Sequence, residues 1–235
     1  MIKRKVLLIL LGLSGFIPLL ALGDSPPDPV LLTYSIFVLA FFLQRPLIFL
    51  VHVIPLPASF KFVLLITAVS LVSLEFFSWW SEYLRCRENP GLLHPQLIPD
   101  LILGIGFYTA SALAWLGILR TFKFSLLQVF ITQGFYGLAI EGEGAVFLQG
   151  LTAMPLGLFL WLYVFLVYAA PGGISYLFIG IELNQGLNRN HWFKYPVTLI
   201  LLYISTFIVT FIWGAVVQGL QLIPEPRPIC EYPFW

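Results

Sequence analysis

Residues 145–181, AVFLQGLTAMPLGLFLWLYVFLVYAAPGGISYLFIGI, contain no Asp, Glu, Lys or Arg. At about 1.5 Å per residue, a helix of this length is nearly twice as long as the roughly 20 residues that cross a bilayer once. A water-soluble domain built from 235 residues has no interior thick enough to bury such a segment. The stretch therefore predicts an all-α integral membrane protein.

The composition of the whole chain indicates the same class. Hydrophobic residues make up 60% of the chain and charged residues 10%, and the mean hydropathy is +0.95. Ordinary soluble domains carry about 25% charged residues, so a soluble fold is excluded. The formal net charge is only +1, and the chain has neither a basic surface nor an acidic tail, so we expect no nucleic-acid partner.

Similar apolar runs recur along the chain, and we expect a bundle of about seven transmembrane helices. Polar or proline-rich breaks separate the runs, and a half-helix, residues 174–183, precedes the last of them. The predicted spans are residues 6–22, 29–43, 62–80, 100–119, 125–140, 145–170 and 196–220. They form a single domain, residues 1–220, which is followed by an extended proline-rich tail, residues 221–235.

Local signals set the ends of several spans. Ser125 with Gln128 three residues later fits a capping box, which predicts the start of the fifth helix. Residues 171–173, Pro-Gly-Gly, predict the end of the sixth helix, because proline and paired glycines rarely continue one. Residues 47–54 are too short to cross a bilayer, so we interpret them as an interfacial continuation of the second span.

The first apolar run has two interpretations. Lys3, Arg4 and Lys5 precede the run, and small residues, Ala21 and Gly23, lie at its end. A retained transmembrane helix fits its length, which exceeds the usual core of a signal peptide. A cleavable signal peptide fits the basic start and the small residues at the end. The sequence leaves both interpretations open.

The basic residues indicate the direction of the spans, because Lys and Arg collect in the cytoplasmic loops of membrane proteins. With a cytoplasmic N-terminus and a non-cytoplasmic C-terminus, nine of the twelve fall inside and three fall outside. The inner set is Lys3, Arg4, Lys5, Arg45, Lys61, Arg120, Lys123, Arg189 and Lys194, and the outer set is Arg85, Arg87 and Arg227. We expect a prokaryotic-type plasma membrane or internal membrane.

One carboxylate lies inside a predicted span. Glu75 would be costly in hydrocarbon unless it were protonated, paired or hydrated. At helical spacing it shares a polar stripe with Ser78 and Glu82, and one interpretation is an outward-facing cavity with a proton, cation or acid/base site. The alternative is a carboxylate near the headgroups, hydrated or paired with Arg85 or Arg87. The candidate polar vestibule comprises Glu75, Glu82, Arg85, His94, Glu141 and Glu143.

A second polar ladder lies on the fifth predicted span. Gln133, Gly137 and Glu141 follow one another at four-residue spacing, and Gly142 and Gly144 come next. Flexible backbone at a membrane boundary suits a cavity or a ligand site. A simple outer turn between two spans is the alternative.

The two cysteines, Cys86 and Cys230, both fall on the predicted outer side, where disulfides persist. A disulfide would pin the C-terminal tail over the loop that follows the third span, residues 81–99. Two free thiols are the alternative. His94 with carboxylates in this loop would suit many metals, but no spacing matches a known ligand motif, so we predict no metal site.

Two classes of function fit this inventory. The first is a non-enzymatic bundle, either a small carrier or an accessory or scaffold subunit of a larger membrane assembly. Its partners would be membrane lipid and other membrane subunits. The 22 Phe residues would suit an apolar pigment, a quinone or lipid, although the same rings also fill ordinary helix packing. The second class is an intramembrane acid/base enzyme that acts on a lipid or isoprenoid at the outer leaflet.

Overall fold

The computed structural model describes residues 29–186 and 192–235, and every regular element in these ranges is helical. The predicted span 6–22, with its signal-peptide alternative, lies outside the described residues. The helices are α1 (Pro29–Phe42), α2 (Gln44–Val53), α3 (Ala58–Arg85), α4 (Leu97–Thr121), α5 (Leu126–Ile140), α6 (Ala145–Thr152), α7 (Gly157–Gly180) and α8 (Lys194–Gly219). A short helix, Ile181–Leu183, follows α7 directly.

Four of the described helices, α3, α4, α7 and α8, are long and apolar enough to cross a membrane. A fifth crossing is obtained if α1 and α2, which are bent by 81° at their junction, count as one span. The predicted fifth span is the shorter helix α5, whose 15 residues fall below the length of a crossing. The described residues therefore confirm several membrane-compatible helices but not a seven-helix bundle.

The predicted break at residues 171–173 is wrong, because α7 continues through Pro171. The two glycines that follow serve close packing instead. Gly172 faces the side chain of Gln133 on α5, and Gly173 faces the ring of Phe130. The break in the predicted span 145–170 comes earlier, at the turn between α6 and α7. The predicted half-helix is the C-terminal part of α7, whose last turn, Tyr176–Gly180, is π-helical.

The bundle is held by close approaches of glycine to aromatic rings. Gly134 lies against Phe165 and Gly137 lies against Tyr168, which brings α5 and α7 together. In a third such contact, Gly106 of α4 lies against the Trp213 indole of α8. Small residues are the usual means of packing helices in lipid, where the hydrophobic effect between helices is absent.

Polar contacts fix one end of the bundle. The predicted capping box at the start of α5 is confirmed. The Ser125 hydroxyl accepts from the Gln128 backbone N–H, and the Gln128 side chain accepts from the Ser125 backbone N–H. The Lys194 Nζ, at the start of α8, donates to the Lys123 carbonyl at 2.8 Å and to Gln128 Oε1 at 3.0 Å. These bonds join the α4–α5 turn to α8.

At the opposite end, the tail after α8 has no helix and packs against the start of α4. The N–H groups of Leu97 and Ile98 donate to the carbonyls of Pro233 and Phe234, at 2.9 and 3.1 Å. Helix N-termini leave such donors without intrahelical partners, so the tail caps α4. A disulfide joins Cys86, at the end of α3, to Cys230 in the tail, and their Cα atoms are 5.4 Å apart.

Candidate functional site

Glu75 lies in a π-helical turn, Leu71–Phe76, within α3. Such turns frequently occur at functional sites, because the extra residue changes the direction of side chains. Thr33 of α1 donates to the Ser73 carbonyl of this turn at 3.0 Å. The Glu75 side chain is 9% exposed, and the Tyr108 hydroxyl on α4 donates to its Oε1 at 2.5 Å. The carboxyl group therefore has a tyrosine partner and no arginine partner among the described residues.

A glycine on α4 makes room for this carboxyl group. A Cβ at Gly104 would lie 3.1 Å from Glu75 Cγ, so the missing side chain lets α3 and α4 approach here. One helical turn earlier, the buried Asp100 carboxyl lies close enough to interact with that of Glu75. Its Oδ1 accepts from the His94 backbone N–H at 2.9 Å.

A second tyrosine–carboxyl pair forms between α5 and α7. The Tyr168 hydroxyl donates to Glu141 Oε2 at 2.5 Å. Glu141 is the residue at which α5 ends, and the next three residues, at positions 142–144, all have positive φ. Glycine adopts that conformation readily, which explains Gly142 and Gly144. The turn directs the Glu141 side chain back toward α7.

Both pairs line one cavity of about 640 Å³. It lies between α3, α4, α7, α8 and the turn after α5, and loop residues 91–93 form part of its wall. Most of the wall is apolar. Ser78 of α3 and Thr210 of α8 add hydroxyl groups, and the described lining residues include no Lys, Arg or His. The Thr210 hydroxyl has no hydrogen-bond partner among the described residues.

Aromatic rings are frequent in this wall. Besides the two paired tyrosines, the lining includes Phe107 of α4, Tyr163 of α7 and Trp213 of α8. The Trp213 indole N–H donates to the Ile102 carbonyl at 2.7 Å, which fixes the ring in the wall. The cavity thus combines two carboxyl groups with five aromatic side chains.

The structure brings together two of the six predicted vestibule residues, Glu75 and Glu141. Glu82 pairs instead with Arg87 at 3.3 Å. Arg85 lies in the last turn of α3 and is not part of the cavity wall. Glu143, in the turn two residues after Glu141, is exposed and also lies outside the wall.

His94, the sixth predicted residue, is buried beneath the tail. Its Nε2 is 3.1 Å from the Pro224 carbonyl, and its Nδ1 accepts from the Gln96 backbone N–H at 3.1 Å. The Gln96 side chain donates to the carbonyls of Arg227 and Tyr232, at 2.8 and 2.9 Å. These contacts fasten the loop that contributes residues 91–93 to the cavity. Among the described residues, no group of three His, Cys, Asp or Glu side chains is arranged to hold a metal ion.

The sequence analysis missed Asp100, Tyr108 and Tyr168 as site residues. A signal for the first two exists, because Asp100, Gly104 and Tyr108 repeat on α4 the four-residue ladder of Gln133, Gly137 and Glu141 on α5. In each ladder a glycine lies between polar residues and lets a neighbouring helix approach. Tyr168 has no such signal, because it lies in the longest apolar run of the chain.

The described residues thus form an all-helical fold with several membrane-compatible helices, and between them lies a largely apolar cavity lined by two carboxyl groups. The chain matches no family model, no curated protein and no solved structure. Functional inference therefore depends on the cavity and its chemistry.

Proposed function

We propose that this protein is a small membrane carrier that binds an amphipathic molecule in the cavity, with the polar end of the molecule at Glu75 and Glu141. The observation that supports this function is that two tyrosine–carboxyl pairs, from four different helical segments, line the same largely apolar cavity. The volume of about 640 Å³ falls in the range of small-molecule sites.

The two tyrosines would orient the ligand-binding groups. Each hydroxyl donates to one carboxyl oxygen, which restricts the rotation of the glutamate side chain before any ligand arrives. A site whose polar groups are already held in place loses less conformational entropy on binding. The apolar wall would accept the hydrocarbon part of the ligand, which in a membrane includes lipids, quinones and pigments.

A cavity-filling variant tests this proposal. Gly214 lines the cavity, and a Cβ there would meet no atom within 4 Å, so Gly214→Phe places a ring in the open space. Gly117→Phe is the matched control, because its Cβ also has open space and the residue is exposed outside the cavity. Native mass spectrometry after purification in mild detergent should show a bound amphipathic molecule in the wild type and control. Equal occupancy in Gly214→Phe would contradict the proposal.

The second candidate is the intramembrane acid/base enzyme, and one observation favours it. Asp100 lies next to Glu75, and both carboxyl groups are buried. Two carboxyl groups in such proximity can pass a proton between them. For an enzyme, the molecule extracted from Glu75→Gln would differ in mass from that extracted from the wild type. A carrier would yield the same molecule from both, in different amounts.

A further inference from the structure

We infer that the polar end of the ligand is a cation, of the alkylammonium type, which binds between Glu75 and Glu141. This inference deepens the proposed function and rests on it, because it assigns the chemical class of the molecule held in the same cavity. Three properties of the cavity wall lead to it.

The first property is the balance of charge. The described wall contains the carboxyl groups of Glu75 and Glu141 and no Lys, Arg or His. Nothing in this wall would therefore balance the negative charge of either glutamate. A buried charge is stable only when it is paired. Hydrogen bonds from Tyr108 and Tyr168 lessen the cost but add no positive charge. A cationic ligand would supply the missing charge.

The second property is the aromatic lining. Phe107, Tyr108, Tyr163, Tyr168 and Trp213 all contribute to the wall around the two glutamates. The faces of aromatic rings attract cations, and rings grouped around a pocket are a recurrent means of binding alkylammonium groups. This preference is independent of the carboxyl groups, because ring faces repel anions and interact only weakly with neutral alcohols.

The third property is the enclosure of the polar groups by hydrocarbon. Leu74 and Leu103 lie in the same wall as the glutamates, together with Val164 and Val167. Electrostatic attraction and repulsion are stronger in such surroundings than in water. A phosphate or carboxylate head placed here would be repelled by both carboxylates without a basic side chain to bind it. The cavity therefore selects against anionic lipids.

Three probes with the same dodecyl chain test the inference: dodecyltrimethylammonium, dodecanol and dodecanoate. Binding to the protein in zwitterionic nanodiscs is measured with radiolabelled probes, and the amount bound to Gly214→Phe is subtracted as partition into lipid. We expect the ammonium probe to bind at least about tenfold more tightly than dodecanol, and dodecanoate to bind most weakly. Dodecanol or dodecanoate binding as tightly as the ammonium probe would overturn the inference and leave the proposed function intact.

Variants assign the effect to the two glutamates. Glu75→Gln and Glu141→Gln should each weaken ammonium binding by about tenfold and leave dodecanol binding unchanged. Glu143→Gln is the matched control, because Glu143 is exposed and lies two residues from Glu141. This variant should bind all three probes as the wild type does. Thermal unfolding verifies that each variant is folded. Unchanged ammonium binding in both Gln variants would refute the assignment. If the wild type binds no probe more than Gly214→Phe does, the proposed function itself fails.

Discussion

Tyr108 shows at the residue scale how the cavity is organised, because its hydroxyl donates to Oε1 of the buried Glu75 carboxyl. Tyr108→Phe removes that donor, and we expect a loss of about 1–3 kcal/mol in the free energy of unfolding. Thermal unfolding in detergent measures the effect. In the double variant with Glu75→Gln, the second substitution should cost less than it does alone, because the two groups interact. Tyr203→Phe, at an exposed site on α8, is the control, and an equal loss there would contradict this account.

Gly137 sets the distance between α5 and α7 at the same scale. A Cβ at this position would overlap the Tyr168 side chain, so Gly137→Ala should destabilise the protein by about 1–3 kcal/mol and displace the hydroxyl from Glu141. Gly117→Ala adds the same methyl group where a Cβ meets no atom within 4 Å, and it should be neutral or stabilising by up to about 1 kcal/mol. Equal unfolding temperatures for the two variants would show that the α5–α7 contact can relax.

At the scale of elements, the tail acts as a strap. The disulfide joins it to α3, and it packs against the loop that follows α3 and against the start of α4. Cys230→Ser removes the disulfide to Cys86, and we expect faster hydrogen exchange at the Leu97 and Ile98 amides, because their acceptors lie in the tail. Hydrogen-exchange mass spectrometry of peptides from the start of α4 measures this. Glu231→Gln, which changes the neighbouring residue and keeps the disulfide, should exchange as the wild type does. Unchanged protection in Cys230→Ser would mean that the backbone hydrogen bonds hold the tail without the disulfide.

The helices themselves were largely predictable from the sequence, and the contacts between them were not. The apolar runs indicated α3, α4 and α8, and the capping box gave the start of α5 within one residue, whereas the predicted span 145–170 is divided between α6 and α7. Pro171 misled the prediction, because its local cost is outweighed by the packing of the glycines that follow it on α7. Local propensity is a weak guide where tertiary contacts decide.

The same limit applies to the site. Glu75 and Glu141 stand out in the sequence, because hydrocarbon should exclude carboxylates. Their tyrosine partners do not stand out, because tyrosine is common in membrane helices. Only the fold shows which hydroxyl reaches which carboxyl group. His94 was misleading for the opposite reason: its chemistry suits a site, but its Nε2 contacts the Pro224 carbonyl of the tail and its Nδ1 accepts from the Gln96 backbone N–H.

For the whole molecule, the arrangement of the ends predicts sidedness. Lys123, in the α4–α5 turn, accepts a bond from the start of α8, whereas Glu225 follows the end of the same helix. The 26 residues of α8 would separate the two by about 39 Å. In intact cells that carry a chain with both native cysteines replaced by serine, an impermeant maleimide should label only one of Lys123→Cys and Glu225→Cys, and the other should react only after permeabilisation. Labelling of both from one side would rule out a single crossing by α8.

The strap has a consequence for how the protein is made. Cys230 lies 144 residues after Cys86, so the loop that walls the cavity leaves the ribosome long before the segment that fastens it. Until that segment follows and the disulfide forms, the newly inserted chain has its helices, but the loop that lines the cavity is not fastened. A nonsense mutation that removes the tail should therefore yield a chain that still enters the bilayer but lacks the contacts that fasten the wall of the cavity.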